Sequence, residues 1–145
     1  MNARFVIAAL SAGMLLVPPA AAEPPAVFIA ALYAPYRDSK TYDPCVQHCT
    51  TELAKLLKTA HAKKLIDYDP VCQCQQVGAD HFMMFLGSTG ATSDDYSATM
   101  KKVGKPGTWV LTLKWVDGDW KVADIVETRA GKPVSLRQRL TAAGA

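Results

Sequence analysis

The stretch Thr108 to Glu127, TWVLTLKWVDGDWKVADIVE, reads as two β-strands around a tight turn, and it constrains the rest of the chain. Asp117-Gly118 supplies the turn, because a two-residue loop of this kind needs positive φ at both positions, which Asp tolerates and Gly adopts freely. Even pairing outward from that turn sets Trp115 opposite Trp120, Leu113 opposite Val122, Leu111 opposite Asp124 and Trp109 opposite Val126. One face of the hairpin is then broad and apolar and carries all three tryptophans, so a core must be built against it. Trp109, Trp115 and Trp120 are for the same reason the candidate binding surface.

Residues 1–22 read as a secretory signal peptide. Arg4 gives a positive start, Phe5 to Val17 is apolar, and Ala20-Ala21-Ala22 offers small residues for cleavage before Glu23. The apolar run is shorter than the roughly 20 residues of a membrane span, and no second such run follows. Residues 23–145 then form one domain with a single core, released to the periplasm or the medium and without a membrane anchor. The formal charge of the full chain is only +3 and one positive charge leaves with Arg4. No dense basic stripe interleaved with aromatics remains, which excludes nucleic acid as the expected partner.

Along the chain, Ala26 to Ala34 reads as a short helix with Val27, Phe28, Ala31 and Leu32 on one face, ended by Pro35. Tyr33 and Tyr36 are expected to cover the edge of the core. A second helix runs from Thr51 to Lys64, with Thr50 as N-cap, Glu52 in the first turn and Leu53, Leu56, Leu57 and Ala60 as its buried stripe. A start of that helix at Asp43-Pro44 is the alternative. Leu65 to Gln76 is a break, Asp80 to Leu86 favours a strand over a helix, and Gly87 to Thr92 reads as a loop. Asp94 to Val103 is a further strand. After the hairpin, Gly131 to Pro133 reads as a loop, and the pair Ser135 and Gln138 opens a terminal helix to Ala142. Helices first and an antiparallel meander last define an α+β fold, helices on one face of a curved sheet.

The strand, turn and TLKWVDGDWKVADI segment resembles the closing strands of the nuclear transport factor 2-like, or cystatin-like, α+β cone. The resemblance is stronger to the bacterial domain-of-unknown-function family numbered 3828. It rests on Tyr33 to Tyr36 at the end of the first helix, Tyr68 to Gln75 (YDPVCQCQ), Trp120 to Ile125 (WKVADI) and Ser135 to Arg137 (SLR). It implies a cone-shaped fold and an exported address, brings no established reaction, and suggests a homodimer through the outer sheet face.

Cys45, Cys49, Cys72 and Cys74 are the chemically distinctive residues. An even count in a small exported domain points to disulfides. Bridges within either cluster would close small rings, so the expectation is bridging between clusters, 45 to 72 with 49 to 74 or 45 to 74 with 49 to 72. The alternative is a metal site on Cys45, His48, Cys49, Cys72 and Cys74, with His81 nearby, suited to zinc or Cu(I); its spacing is not the paired Cys-x2-Cys of zinc ribbons. Met83, Met84 and Met100 are assigned to core packing.

For catalysis the candidates are Asp124, which even pairing places on the tryptophan face, and His81 as its acid/base partner. The competing reading places Asp124 near the sheet end, bonded to a backbone amide or an Arg, with His81 a satisfied or exposed side chain. No Gly-x-Ser-x-Gly elbow, phosphate loop or His-Glu-x-x-His occurs. The expectation is therefore a binding or accessory module for a small molecule or a protein, with no cofactor, ahead of a pocket enzyme or a metal-binding protein.

Overall fold

The computed structural model describes residues 23–37, 42–75, 83–89 and 94–145; the signal-peptide reading of 1–22 lies outside them, as does His81. Helix α1 spans Pro25–Tyr33, followed by a 3-10 turn at Ala34–Arg37. Pro25 sits at the first helical position, where its missing N–H costs nothing. Its buried face is Phe28, Ile29 and Leu32, rotated from the expected one, because Val27 is half exposed. The one-turn helix α2 (Cys45–His48) and helix α3 (Thr51–Ala62) are separate. The extended backbone at Cys49 and Thr50 divides them, and the Thr50 hydroxyl accepts from the Leu53 amide at 3.4 Å as N-cap. Leu53, Leu57 and Ala60 form the buried stripe of α3, with Leu56 only partly covered.

Five strands follow as an antiparallel meander, β1 (Met83–Thr89), β2 (Asp95–Lys102), β3 (Thr108–Val116), β4 (Asp119–Arg129) and β5 (Lys132–Ser135), paired in chain order. The α+β class is thus as expected. The Asp117-Gly118 turn has φ of 52° and 84°, and Trp115 pairs with Trp120 and Leu113 with Val122. Two segments expected to be loops carry strand in part. β1 continues to Thr89, and Ala130-Gly131 (φ 49° and 75°) is itself a hairpin turn that brings Lys132–Ser135 onto β4. Pro133 is tolerated there because β5 is an edge strand, where a missing donor breaks no ladder. Helix α4 (Leu136–Ala142) begins where the Ser135 hydroxyl accepts from the Gln138 amide at 3.1 Å.

Beyond Val122 the hairpin departs from even pairing. A β-bulge at Ala123 shifts the register, so Thr112 pairs with Asp124, Leu111 with Ile125 and Trp109 with Glu127. Every β4 side chain past the bulge therefore changes face relative to the even reading, while Trp109 and Leu111 on β3 keep theirs. Beside the bulge the Thr50 amide donates to the Val122 carbonyl at 2.9 Å, tying the α2–α3 junction to the centre of the sheet. The core lies between the inner sheet face (Ala98, Met100, Trp109, Leu111, Leu113, Trp120, Val122, Ile125) and the buried sides of α1, α3 and α4. Among the described residues no helix is long and apolar enough to cross a membrane.

All four cysteines are paired, but within each cluster, Cys45 with Cys49 and Cys72 with Cys74, which corrects the expected bridges between clusters. Local backbone explains it. Cys45 opens α2 and Cys49 caps it one turn later, with Cα atoms 4.5 Å apart. Cys72 and Cys74 flank Gln73, whose φ of 52° folds the chain back so that Asp69 and Cys74 exchange backbone hydrogen bonds of 2.8 and 3.2 Å. With every sulfur oxidised, the cysteines offer no thiolate to the metal site weighed above. Tryptic digestion without reduction should therefore release Thr41–Lys55 and Leu65–Lys101 as separate peptides, each lighter by two hydrogens. A single cross-linked species would refute this pairing. Each short loop contributes about 2 kcal/mol in the chain-entropy model, so replacing Cys45 and Cys49 together by Ala should lower stability by about that much in urea titration.

Candidate ligand cleft at the end of the sheet

The bulge exchanges one carboxylate for another on the tryptophan face. Asp124, expected there, lies with Thr112 on the other side; it accepts from the Arg137 amide at 3.0 Å, its neighbouring Ile125 amide at 2.8 Å and the Ser135 hydroxyl at 2.5 Å. It thus joins Ser135 in capping α4. Glu127 takes the inward place beside Trp109 at only 4% exposure, and it is the buried charged side chain among the described residues.

Glu127 is fully engaged. Its Oε1 accepts from the Tyr68 hydroxyl and from Gln73 Nε2 at 3.1 Å, while Oε2 receives Arg129 Nε at 2.9 Å and lies 3.5 Å from Arg139 Nη2. Both arginines also donate to the Tyr68 hydroxyl oxygen, at 3.0 and 3.1 Å. Burial pushes the Glu127 carboxyl up, but the Tyr68, Gln73 and Arg129 hydrogen bonds and the Arg129 charge outweigh it, and the balance lies below the usual carboxylate range. Burial and the adjoining Glu127 push the Tyr68 hydroxyl up to about 12. The carboxylate is thus ionised and the phenol neutral at ordinary pH.

This cluster forms one wall of a cleft of about 560 Å³ between the inner sheet face and the Cys72–Cys74 turn, lined by Gln73, Lys102, Lys105, Trp109, Glu127 and Arg129 among others. The elements that deliver these groups are short-range consequences of sequence. Lys102 follows Ala98 and Met100 on the inner face of β2 by strand alternation, and Arg129 follows Glu127 on β4 in the same way. The turn from Gly104 (φ 75°) to Gly107 (φ 90°) then brings Lys105 into the cleft lining.

A second group surrounds Asp69, beside a groove of about 850 Å³ along α3 that also touches Tyr42, Cys45, Leu57, His61 and Pro70. Tyr36, expected at the core edge, is instead fully buried, and its hydroxyl donates to Asp69 Oδ2 at 2.5 Å while the Val71 amide donates to Oδ1 at 2.8 Å. Tyr33 donates to the Val71 carbonyl at 2.7 Å, and the Trp109 indole N–H approaches its hydroxyl oxygen without completing a hydrogen bond. Burial raises the Asp69 carboxyl above its ordinary value, against the Tyr36 and Val71 bonds. A raised folded pKa means that its contribution to stability is greatest below the unfolded carboxylate range and is lost as pH climbs through the folded value. Asp69→Asn should therefore match the parent in acid and gain on it towards neutral pH, read from urea midpoints across that span; a gap that widens in acid would contradict this.

Of the proposed binding tryptophans, Trp109 and Trp120 are buried at 4% and 3% exposure, so they serve as core, Trp109 also backing the cleft; Trp115 is half-buried. His48 lies edge-on to Phe28 with ring centroids 5.7 Å apart, and burial and the Lys121 charge lower its pKa. Sequence reasoning missed Tyr68, Gln73, Glu127, Arg129 and Arg139, although the alternation of Glu127 and Arg129 on one strand face was a usable signal. No protein-family model matches the chain, and comparisons with curated proteins and with solved structures return no match.

Proposed function

We propose that this protein is an exported, disulfide-bonded binding module whose ligand occupies the cleft beside Glu127. The observation that carries the reading is the Glu127 cluster. A buried, ionised carboxylate saturated by Tyr68, Gln73, Arg129 and Arg139 is a rigid wall, suited to holding polar groups in place and unsuited to taking or giving a proton near neutral pH. Export rests on the Phe5–Val17 apolar run, the Ala20-Ala21-Ala22 site and the two disulfides. The order of elements, helices before a five-stranded meander, also supports placing the sheet in the cone-shaped class that the WKVADI strand resembles.

The test is a screen of small metabolites against residues 23–145, read by thermal shift and by amide chemical shifts at Gln73 and Thr128. A hit should bind at least tenfold more weakly to Gln73→Ala and Arg129→Ala. Asp124→Ala should keep its affinity yet lose about 1–2 kcal/mol of stability, the cost of uncapping α4. Turnover of the hit that Asp124→Ala abolishes would favour the enzyme reading instead. Cleft variants that bind every hit as well as the parent would remove the cleft from the account.

A further inference from the structure

We infer that the cleft is an oxyanion site, taking a small organic molecule through a carboxylate or phosphate group held between Lys102, Lys105 and Arg129. This deepens the binding-module reading and rests on it.

Charge balance at the cleft is the first argument. Lys102, Lys105 and Arg129 all line it, and the acidic side chain that shares the lining is Glu127. Both Glu127 oxygens are already taken, Oε1 by Tyr68 and Gln73 and Oε2 by the two arginines. The single charge of Glu127 is therefore shared between two arginines and leaves the lysines without a counter-charge. Among the described residues neither Lys102 nor Lys105 has an acidic partner within 4.0 Å, whereas Lys114 and Lys121 pair with Asp95 and Asp119. Burial, and then the charge of Lys105, depress the pKa of Lys102, so the two ammonium groups share the cleft at a mutual cost. An anion between them removes that cost.

Donor geometry is the second. Arg129 spends Nε on Glu127 and Nη2 on Tyr68, which locks the guanidinium plane; Nη1 has no partner among the described residues. A guanidinium held on one edge and free on the other is a pre-oriented anion donor, because its ordering cost is already met by the fold. Gln73 Nε2 is committed to Glu127 and the Pro70 carbonyl, so it adds rigidity to the wall and is not a spare donor. Trp109 backs the cleft as an apolar surface, and about 560 Å³ suits a small organic anion.

The experiment titrates residues 23–145 with sodium phosphate, sodium citrate and, as a source-neutral control, sodium chloride at matched ionic strength, following Thr128 and Lys105 amide shifts by NMR. Saturable shifts with phosphate or citrate and none with chloride are expected, weakened tenfold or more in the double variant Lys102→Met/Lys105→Met and unchanged in Lys114→Met. Preference for phosphate or for citrate tells which oxyanion the cleft favours. Both lysines are away from the core, and a circular dichroism melt of the double variant checks that it folds. Equal binding by the double variant, or shifts that chloride reproduces, would overturn the inference. If neutral molecules from the metabolite screen occupy the cleft while oxyanions do not, the anion assignment fails and the binding module stands. If neither class binds, both fail.

Discussion

Glu127→Ala is expected to destabilise the protein by about 3 kcal/mol, a large share of what a domain of this size has to lose. The carboxylate is 4% exposed, and its removal strands the Tyr68 hydroxyl, Gln73 Nε2 and two guanidinium groups at once. The arginines temper the loss, since the side chain of Arg129 is 48% exposed and that of Arg139 26%, so both can turn partly to water. Glu127→Gln separates charge from shape. It preserves volume and an acceptor for Tyr68 but removes the ion pairs, and should cost about 1–2 kcal/mol. The pH dependence carries a further signature. Because the folded pKa of Glu127 is depressed, its stabilisation is present above the ordinary carboxylate range and is lost as pH falls through the folded value. The parent should therefore lose stability in acid more steeply than Glu127→Gln, measured by urea unfolding at several pH values. Parallel acid limbs, or an Ala variant within about 0.5 kcal/mol of the parent, would mean that the cluster is not a structural clamp.

What could be read from sequence was local. Asp117-Gly118, the Thr50 and Ser135 caps and the strand over Asp94 to Val103 each depend on neighbours a few positions away, and each is found where short-range rules put it. The bulge at Ala123 is different. One inserted residue obeys no composition rule; beside it the Thr50 amide meets the Val122 carbonyl, a contact between segments distant in the chain. That single residue moved Asp124 off the tryptophan face and put Glu127 there, and with it the candidate site moved as well. The cluster around Glu127 joins Tyr68, Gln73, Arg129 and Arg139 across three segments, so no window along the chain contains it. Separation along the chain makes a Cys45–Cys49 ring look small, but a helical turn ending in an extended residue brings the two Cα atoms to 4.5 Å. Pro133 misled in the same way, since proline disqualifies a central strand but not an edge.

Trp120→Ala should cost still more than Glu127→Ala, about 3–5 kcal/mol, because it empties the opposite end of the same sheet face. The ring is 3% exposed and lies edge-on to Trp115, centroids 5.2 Å apart, and tilted against Tyr96 at 6.2 Å. Its indole N–H donates to the Glu23 carbonyl at 2.7 Å, so it also fixes the chain just ahead of α1. Two further variants apportion the loss. Trp120→Phe retains an aromatic ring but not the N–H, and should cost about 1–2 kcal/mol while increasing amide exchange in the first turn of α1. Trp115→Ala, at a half-buried site on the neighbouring strand, should cost less than Trp120→Ala. Urea unfolding of the three variants gives the order, and hydrogen exchange at Phe28 and Ile29 gives the coupling to α1. If Trp115→Ala proves the more damaging, the sheet is held at its outer rim and not by the α1 contact. If Trp120→Phe leaves exchange in α1 unchanged, the Glu23 bond is incidental and the docking of α1 rests on Phe28, Ile29 and Leu32 alone.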